Sequence, residues 1–296
     1  MTRRRFPIPT RKTVPRHEWA PPRRRRLRTN PVALAALVFL ALLVLAVLAV
    51  PLLTPYDPLA MSPVQQFLPP SRSHPAGTDL FGRDVATRVL YGGRLSLGIG
   101  ALAVLIAALP GTALGLLAGY YGRWADRLIG WLVDVMLSFP SILLALVIVA
   151  ALGPGVANVV AAVGIAGIPN YTRLVRGQVL AVRRQPYVRA AVTVGCSDWR
   201  IVLRHILPNI MGPIIVFATL DVGWAILNAS ALSFLGLAVP SPTPEWGSML
   251  NEGRGFLRDA PWVTAAPGLA IALTVLSVNL LGDALRDSLD PRSRTR

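Results

Sequence analysis

The sequence predicts an all-α, polytopic membrane protein with six transmembrane helices, and three observations lead there. Of its 296 residues, 53% are apolar even before glycine is counted, which is high for a soluble domain. The apolar residues gather in six runs of about the 20 residues needed to cross bilayer hydrocarbon as helix. The basic residues lie almost entirely on one alternate set of the segments between those runs, the pattern that orients a chain in a membrane.

The first run, 31–53, has no charge. The second, 95–120, is rich in glycine and alanine, which suits close helix packing, and Pro110-Gly111 predicts a kink in its middle. The third, 129–152, holds Asp134 and a break at Phe139-Pro140. A tight Gly153-Pro154-Gly155 turn separates it from the fourth, 155–174. The fifth run is 210–237 and the sixth 263–282. The organisation that follows is a tail (1–30), a first helix (31–53), an extracytoplasmic loop (54–94), a five-helix core (95–290) with a cytoplasmic loop at 175–209, and a short tail (291–296).

The net charge is +16, and eleven basic residues fall within the first 28 positions beside the single acid Glu18. With many prolines and no apolar period, that segment reads as a disordered tail. Lying just before a membrane span, it is a topology signal and a contact for anionic lipid rather than for nucleic acid. The apolar run after it is too long for a cleaved signal peptide. With both termini cytoplasmic, 24 of the 30 basic residues lie on the cytoplasmic side and five in the outer loops, leaving Arg94 at a boundary. The opposite orientation inverts the rule.

Several chemistries are excluded. Lys12 is the only lysine, so the folded part has no phosphate-binding P-loop lysine. His17, His74 and His205 are scattered over a tail, an outer loop and a cytoplasmic loop and make no zinc site. Cys196 stands alone, so there is no disulfide framework. No nucleophile and base come together. Neither a catalytic residue, a metal nor a cofactor is expected.

The polar interruption at 187–209 organises the rest. Pro186 suits a first helical position and Gly195 a helix stop, so one helix ends near Val194. Ser197 or Asp198 then caps a second, with Trp199, Val202, Leu203 and Ile206 on one face and Arg200 and Arg204 on the other, and Pro208 forces a new direction. Its Ala190-Ala191 pair offers a small-residue surface for a partner, although an ordinary solvated loop helix fits the same residues.

Polar residues within spans are costly unless they meet water, protein or cargo. Asp221 and Asn228, seven apart on the fifth run, share a face; Ser230 and Ser233 lie nearby, with Asn279 on the sixth run and Asp134 on the third. These are candidates for lining a passage, while Asn279 equally suits a helix-packing hydrogen bond and Asp134 the cytoplasmic end near Arg127. In the first outer loop, Thr78 or Asp79 is placed to cap a short helix, and Asp84 and Arg88 have ion-pair spacing.

Here the sequence resembles a known family. Ala190-Ala191, Gly195 and Leu207-Pro208-Asn209 have the spacing of the EAA loop of ABC importer permeases, and the ending from His205 to Asn209 looks like the dipeptide, oligopeptide and nickel branch. Four further stretches are similar to that branch: 74–85 with its continuation at 90–97, the 232–237 LSFLGL run, Pro244-Glu245-Trp246-Gly247, and 279–291. Arg189 stands where the family usually carries Glu, which reverses the charge at the docking contact. Asn228-Ala229-Ser230 occupies a stretch where members often carry a second Glu.

The resemblance implies a type I permease fold in a bacterial inner membrane, without enzymatic activity of its own. It implies as partners a homologous permease subunit, two cytoplasmic ATPases and an extracytoplasmic substrate-binding protein. Arg189, Ala190, Ala191, Gly195, Leu207, Pro208 and Asn209 become the ATPase-coupling loop. Gly77, Thr78, Asp79, Gly82, Arg83 and Asp84 become either a structural turn or the contact with the binding protein. The implied cargo is di- or oligopeptide, with nickel or another small solute as the alternative. A secondary transporter fits less well, since it needs ion-coupling charges and usually an internal repeat, and only Asp221 suits the first.

Overall fold

The computed structural model describes residues 31–238 and 241–289. The expected tails at 1–30 and 291–296 lie outside them. Helix α1 (Pro31–Leu48) runs on into a short α2 (Val50–Leu53). It buries Ala33, Ala36 and Val47, and exposes Leu42, Leu45 and Leu48. Such an apolar outer face is stable only where lipid replaces water.

After an irregular stretch comes α3 (Val85–Tyr121), a 37-residue helix whose N-cap is Asp84, accepting from the Thr87 N–H at 2.7 Å. It begins ten residues earlier than the apolar run, because Arg88 is paired and buried and so does not end the helix. Pro110 is held inside the helix. Next come α4 (Arg123–Leu137) and α5 (Ser141–Leu152), bent by 89° at Phe139-Pro140. The third run is therefore not one straight helix. Pro140 cannot donate, and the residue before a proline avoids the helical region, so the chain turns there.

Gly153, at φ +88°, ends α5, and Asn158 Nδ2 donates 3.0 Å bonds to the Leu152 and Gly153 carbonyls. Helix α6 (Val156–Arg183) follows, then α7 (Pro186–Thr193) and α8 (Asp198–Ile201). A π-helical turn (Val202–Ile206) leads into α9 (Leu207–Phe234). Helices α10 (Trp246–Gly253) and α11 (Trp262–Leu289) complete the order. Among the described residues there are no strands, only an isolated bridge between Thr78 and Asp84.

The most extensive helix packing among the described residues joins α3 to α6. Gly111, Gly115 and Gly119 repeat every four residues along one face of α3, and a Cβ on them would come within 2.5, 2.6 and 2.7 Å of the Cβ atoms of Tyr171, Val175 and Val179. Only hydrogen fits at those three places, the small-xxx-small route to close membrane helices. The glycine surplus of the second run is thus spent on packing.

Among the described residues, four helical stretches are long and apolar enough to cross a membrane: Pro31–Leu48, Val85–Tyr121, Asp198–Phe234 and Trp262–Leu289. The bent α4–α5 pair is a fifth if taken as one span. Helix α6 has the length, but Asn158, Asn170, Arg173 and Arg176 make it more polar.

Candidate functional site

Two polar regions and one two-helix element stand out along α3, α6 and α9. The first is a clasp at the N-terminal end of α3. Arg83 and Arg88, each about 1% exposed, share the carboxylates of Asp79 and Glu252. Arg83 Nε donates to Asp79 at 2.6 Å and Arg83 Nη2 to Glu252 at 2.8 Å, while Arg88 Nη2 donates to Glu252 at 3.1 Å. Arg88 Nη1 also donates to the carbonyls of Pro58 and Pro242. Beside them His74 Nδ1 lies 2.9 Å from Asp84.

Glu245, fully buried, caps α10 by accepting from the N–H groups of Gly247 and Ser248, and it also accepts from Ser96 Oγ at 3.0 Å. Trp246 Nε1 donates to the Val89 carbonyl. Residues 54–84, α3 and α10 are thereby tied together. Buried charges are costly, and here each is either ion-paired or hydrogen-bonded.

The clasp revises the expected pairing. Asp84 is the cap and the partner of His74; Arg88 reaches Asp79 and Glu252 instead of Asp84; neither Thr78 nor Asp79 caps a helix. Gly77, Thr78, Asp79, Gly82, Arg83 and Asp84 are all buried, so the accessible surface around them belongs to neighbours such as Arg72, Ser73 and Phe81. Glu245, Glu252 and Ser96 had no assigned role in the sequence. For Glu252 the available signal was charge, an acid in one segment opposite two arginines in another; Glu245 and Ser96 bond to each other and to backbone and gave no such signal.

The second region is a cavity midway along α6 and α9. An open hollow of about 440 Å³ is lined by Asn170 and Arg173 of α6 and by Phe217, Leu220, Asp221 and Trp224 of α9. A narrow recess sharing Asn170, Asp221 and Trp224 extends from it to Asn228, Ser141 and Ala107. Asp221 and Asn228 thus come together as their spacing predicts. Ser230 and Ser233 do not join them, because they are buried at the contact where Gly247 of α10 presses on α9. Asn279 lies beside Gly223, across the α9–α11 contact. Asn170 and Trp224 carry no role in the sequence reading, and Arg173 enters it only as one of the cytoplasmic basic residues, since a hydropathy period passes over single residues inside a helix.

The two-helix element lies at the other end of α3. Gly195, at φ +84°, stops α7 as its sequence predicts, with the Cys196 N–H bonding back to the Ala191 carbonyl. Ser197 precedes α8 but makes no side-chain cap, and Asp198 instead accepts from the Tyr120 hydroxyl at 2.7 Å. The buried face is Val188, Ile201, Val202 and Ile206, packed on Tyr120, Val175 and Val179. Trp199 is 72% and Leu203 38% exposed, so the expected face is rotated.

Pro208 does not turn the chain either. The π turn at Val202–Ile206 absorbs it, with the Leu207 N–H reaching back to the Val202 carbonyl, and α8 continues into α9. Arg189, Ala190 and Gly195 are exposed with Pro208 and Asn209, while Ala191 and Leu207 are partly covered. Arg189 forms no ion pair among the described residues.

Comparison with known proteins agrees with this layout. Residues 111–295 match the model of the binding-protein-dependent transport system inner membrane component, and residues 23–70 that of the N-terminal TM domain of oligopeptide transport permease C. The dipeptide transport system permease protein DppC of Alkalihalophilus pseudofirmus is 47% identical over 92% of this chain and 89% of its own. The glutathione transport system permease protein GsiD of Pectobacterium atrosepticum is 47% identical over 92% of this chain and 90% of its own. In fold, a chain of the MetNI methionine ABC transporter superposes with a TM-score of 0.54 at 15% identity, over 68% of this chain and 96% of that one. The chain belongs to the binding-protein-dependent transport system inner membrane components, as an ABC importer permease of the dipeptide and oligopeptide branch.

Proposed function

We propose that this chain forms half of the translocation path of an ATP-driven importer for di- or oligopeptides. Its partners in this reading are a homologous permease, two ATPases that carry out the hydrolysis, and a substrate-binding protein. Counting α4–α5 as one span and α6 as another gives six, with both termini and the α7–α8 element in the cytoplasm. The basic residues support that orientation. The names of the relatives, dipeptide and glutathione permeases, support the cargo class.

One observation carries the mechanism: α7–α8 is fastened to the span bundle on one side and bare on the other. Val188, Ile201 and Ile206 are buried and Asp198 is bonded to Tyr120, whereas Val194 is 83% exposed and Arg189 and Ala190 project freely. The continuous path from α8 through the π turn into α9 reaches Asp221. The rise of a helix, about 1.5 Å per residue, puts that carboxylate about 35 Å from the start of α8. A partner that grips the bare face and moves therefore carries α9 with it. That is a packed element shifting between two arrangements rather than a flexing loop.

The direct test is ATP hydrolysis by the purified assembly in lipid, with and without cargo-loaded binding protein, for the native chain and for Arg189→Glu. The native assembly is expected to respond to loaded binding protein and the reversal to cut that response several-fold, because the ATPase groove has adapted to a cation. A higher response in Arg189→Glu makes the native loop a weakened coupler. Failure of both forms to bind an ATPase ends the importer reading.

A further inference from the structure

We infer that the mid-span cavity is a subsite for a primary ammonium group, with Asp221 as its countercharge. This rests on the reading of the cavity as part of the passage and adds the chemistry of what passes.

Asp221 is the fifteenth of the 28 residues of α9 and Asn170 the fifteenth of the 28 of α6, so the two face one cavity from the middle of both helices. A carboxylate at that depth is costly unless something compensates it. Its neighbour Tyr171 offers a hydroxyl but no charge. The one cation lining the cavity, Arg173, is already engaged, with its Nη2 donating to Asp134 at 2.7 Å. Among the described residues Asp221 has no ion pair. Arg173 is thus offset by Asp134, which leaves Asp221 as the charge at the cavity without an opposite partner of its own.

The other lining groups suit the same guest. Asn228 spends its Nδ2 on the Trp224 carbonyl at 2.9 Å, which leaves its oxygen as the acceptor. Trp224 supplies an aromatic ring, the preferred neutral partner of a cation. A carboxylate, an amide oxygen and an indole are together what an ammonium group takes in place of water. A peptide with a free N-terminus carries that group; an N-acylated peptide does not.

The cavity can be probed without knowing the cargo. Leu220→Cys, with Phe217→Cys as a second reporter one turn away, is placed in a Cys196→Ser chain within membrane vesicles holding the whole transporter. A cationic and an anionic methanethiosulfonate of similar size are then compared, each rate divided by its rate with a free thiol in solution. Taking the ratio cancels any change in the reporter's own ionisation. The cationic reagent is expected to react about tenfold faster than the anionic one, and Asp221→Asn to bring the ratio close to one. A ratio near one in the parent, or a preference that Asp221→Asn leaves unchanged, overturns the ammonium subsite while leaving a water-filled passage in place. Silence of both reporters toward both reagents means the cavity is closed to water, and then the passage and the subsite fall together.

Discussion

The clasp and the mid-span cavity both bury acidic residues among apolar helices, yet they are built on opposite plans. In the clasp, Glu252 meets Arg83 across 169 residues of sequence and Arg88 across 164, Asp79 meets both arginines, and each of these four charges has an opposite one within 4 Å. In the cavity, Asp221 stands against neutral side chains, and the nearby Arg173 belongs to Asp134. The lesson concerns how to recognise function. A buried charge that is paired holds the fold, whereas one left without a partner raises the energy of the empty protein and is tolerated for what it meets in use.

The sharpest way to break the comparison is to unbalance the clasp. Glu252→Ala leaves two fully buried arginines with only Asp79, and is expected to cost about 3 kcal/mol, at the low end for a broken buried pair because Glu252 is 24% exposed. Thermal unfolding of the detergent-solubilised assembly, followed by tryptophan fluorescence, reads it as a lowered Tm. Combining Glu252→Ala with Arg88→Met should cost clearly less than the two single changes added together, since their loss is shared. Strict additivity would show that the two side chains do not act as a pair.

These charge partners also mark the limit of what sequence shows. Local patterns were readable: the Pro186 start and Gly195 stop of α7, the seven-residue spacing of Asp221 and Asn228, and the apolar lengths of α1, α9 and α11. Choices among several distant partners were not. Arg88 has Asp84 at ideal helical spacing, but Asp84 is committed to the Thr87 N–H and His74, so Arg88 turns to Glu252. Pro208 reads as a stop, because no period announces a π turn. The polar Ser230 and Ser233 read as lining, but which side of α9 meets α10 depends on Gly247, which lies beyond the end of that helix.

A smaller effect comes from packing that neither region's charges control. Gly115→Val puts a branched side chain where even a Cβ would lie 2.6 Å from Val175 Cβ and 2.8 Å from the Thr172 carbonyl oxygen. The α3–α6 crossing must open, at a cost of about 1–3 kcal/mol. Because α6 also carries Asn170, the same change should alter labelling of the cavity reporters, whereas Glu252→Ala lowers Tm without touching their charge preference. If Gly115→Val left both Tm and labelling as they are, the glycine ladder would be incidental to the α3–α6 contact.

The smallest expected change in stability belongs to Asp221→Asn. The substitution keeps the shape and a hydrogen-bonding group beside Tyr171, and it removes a half-buried charge that has no countercharge in the empty chain. Its Tm should equal or slightly exceed that of the native assembly, within about 0.5–1 kcal/mol, the reverse in sign of Glu252→Ala. Structural and functional acids are separated by that sign. An acid that supports the fold cannot be neutralised without loss, whereas one retained for cargo is a cost to the resting protein. A marked fall in Tm for Asp221→Asn would mean that a cation meets this carboxylate in the assembly, and Asp221 would then join Glu252 among the residues that hold the protein together.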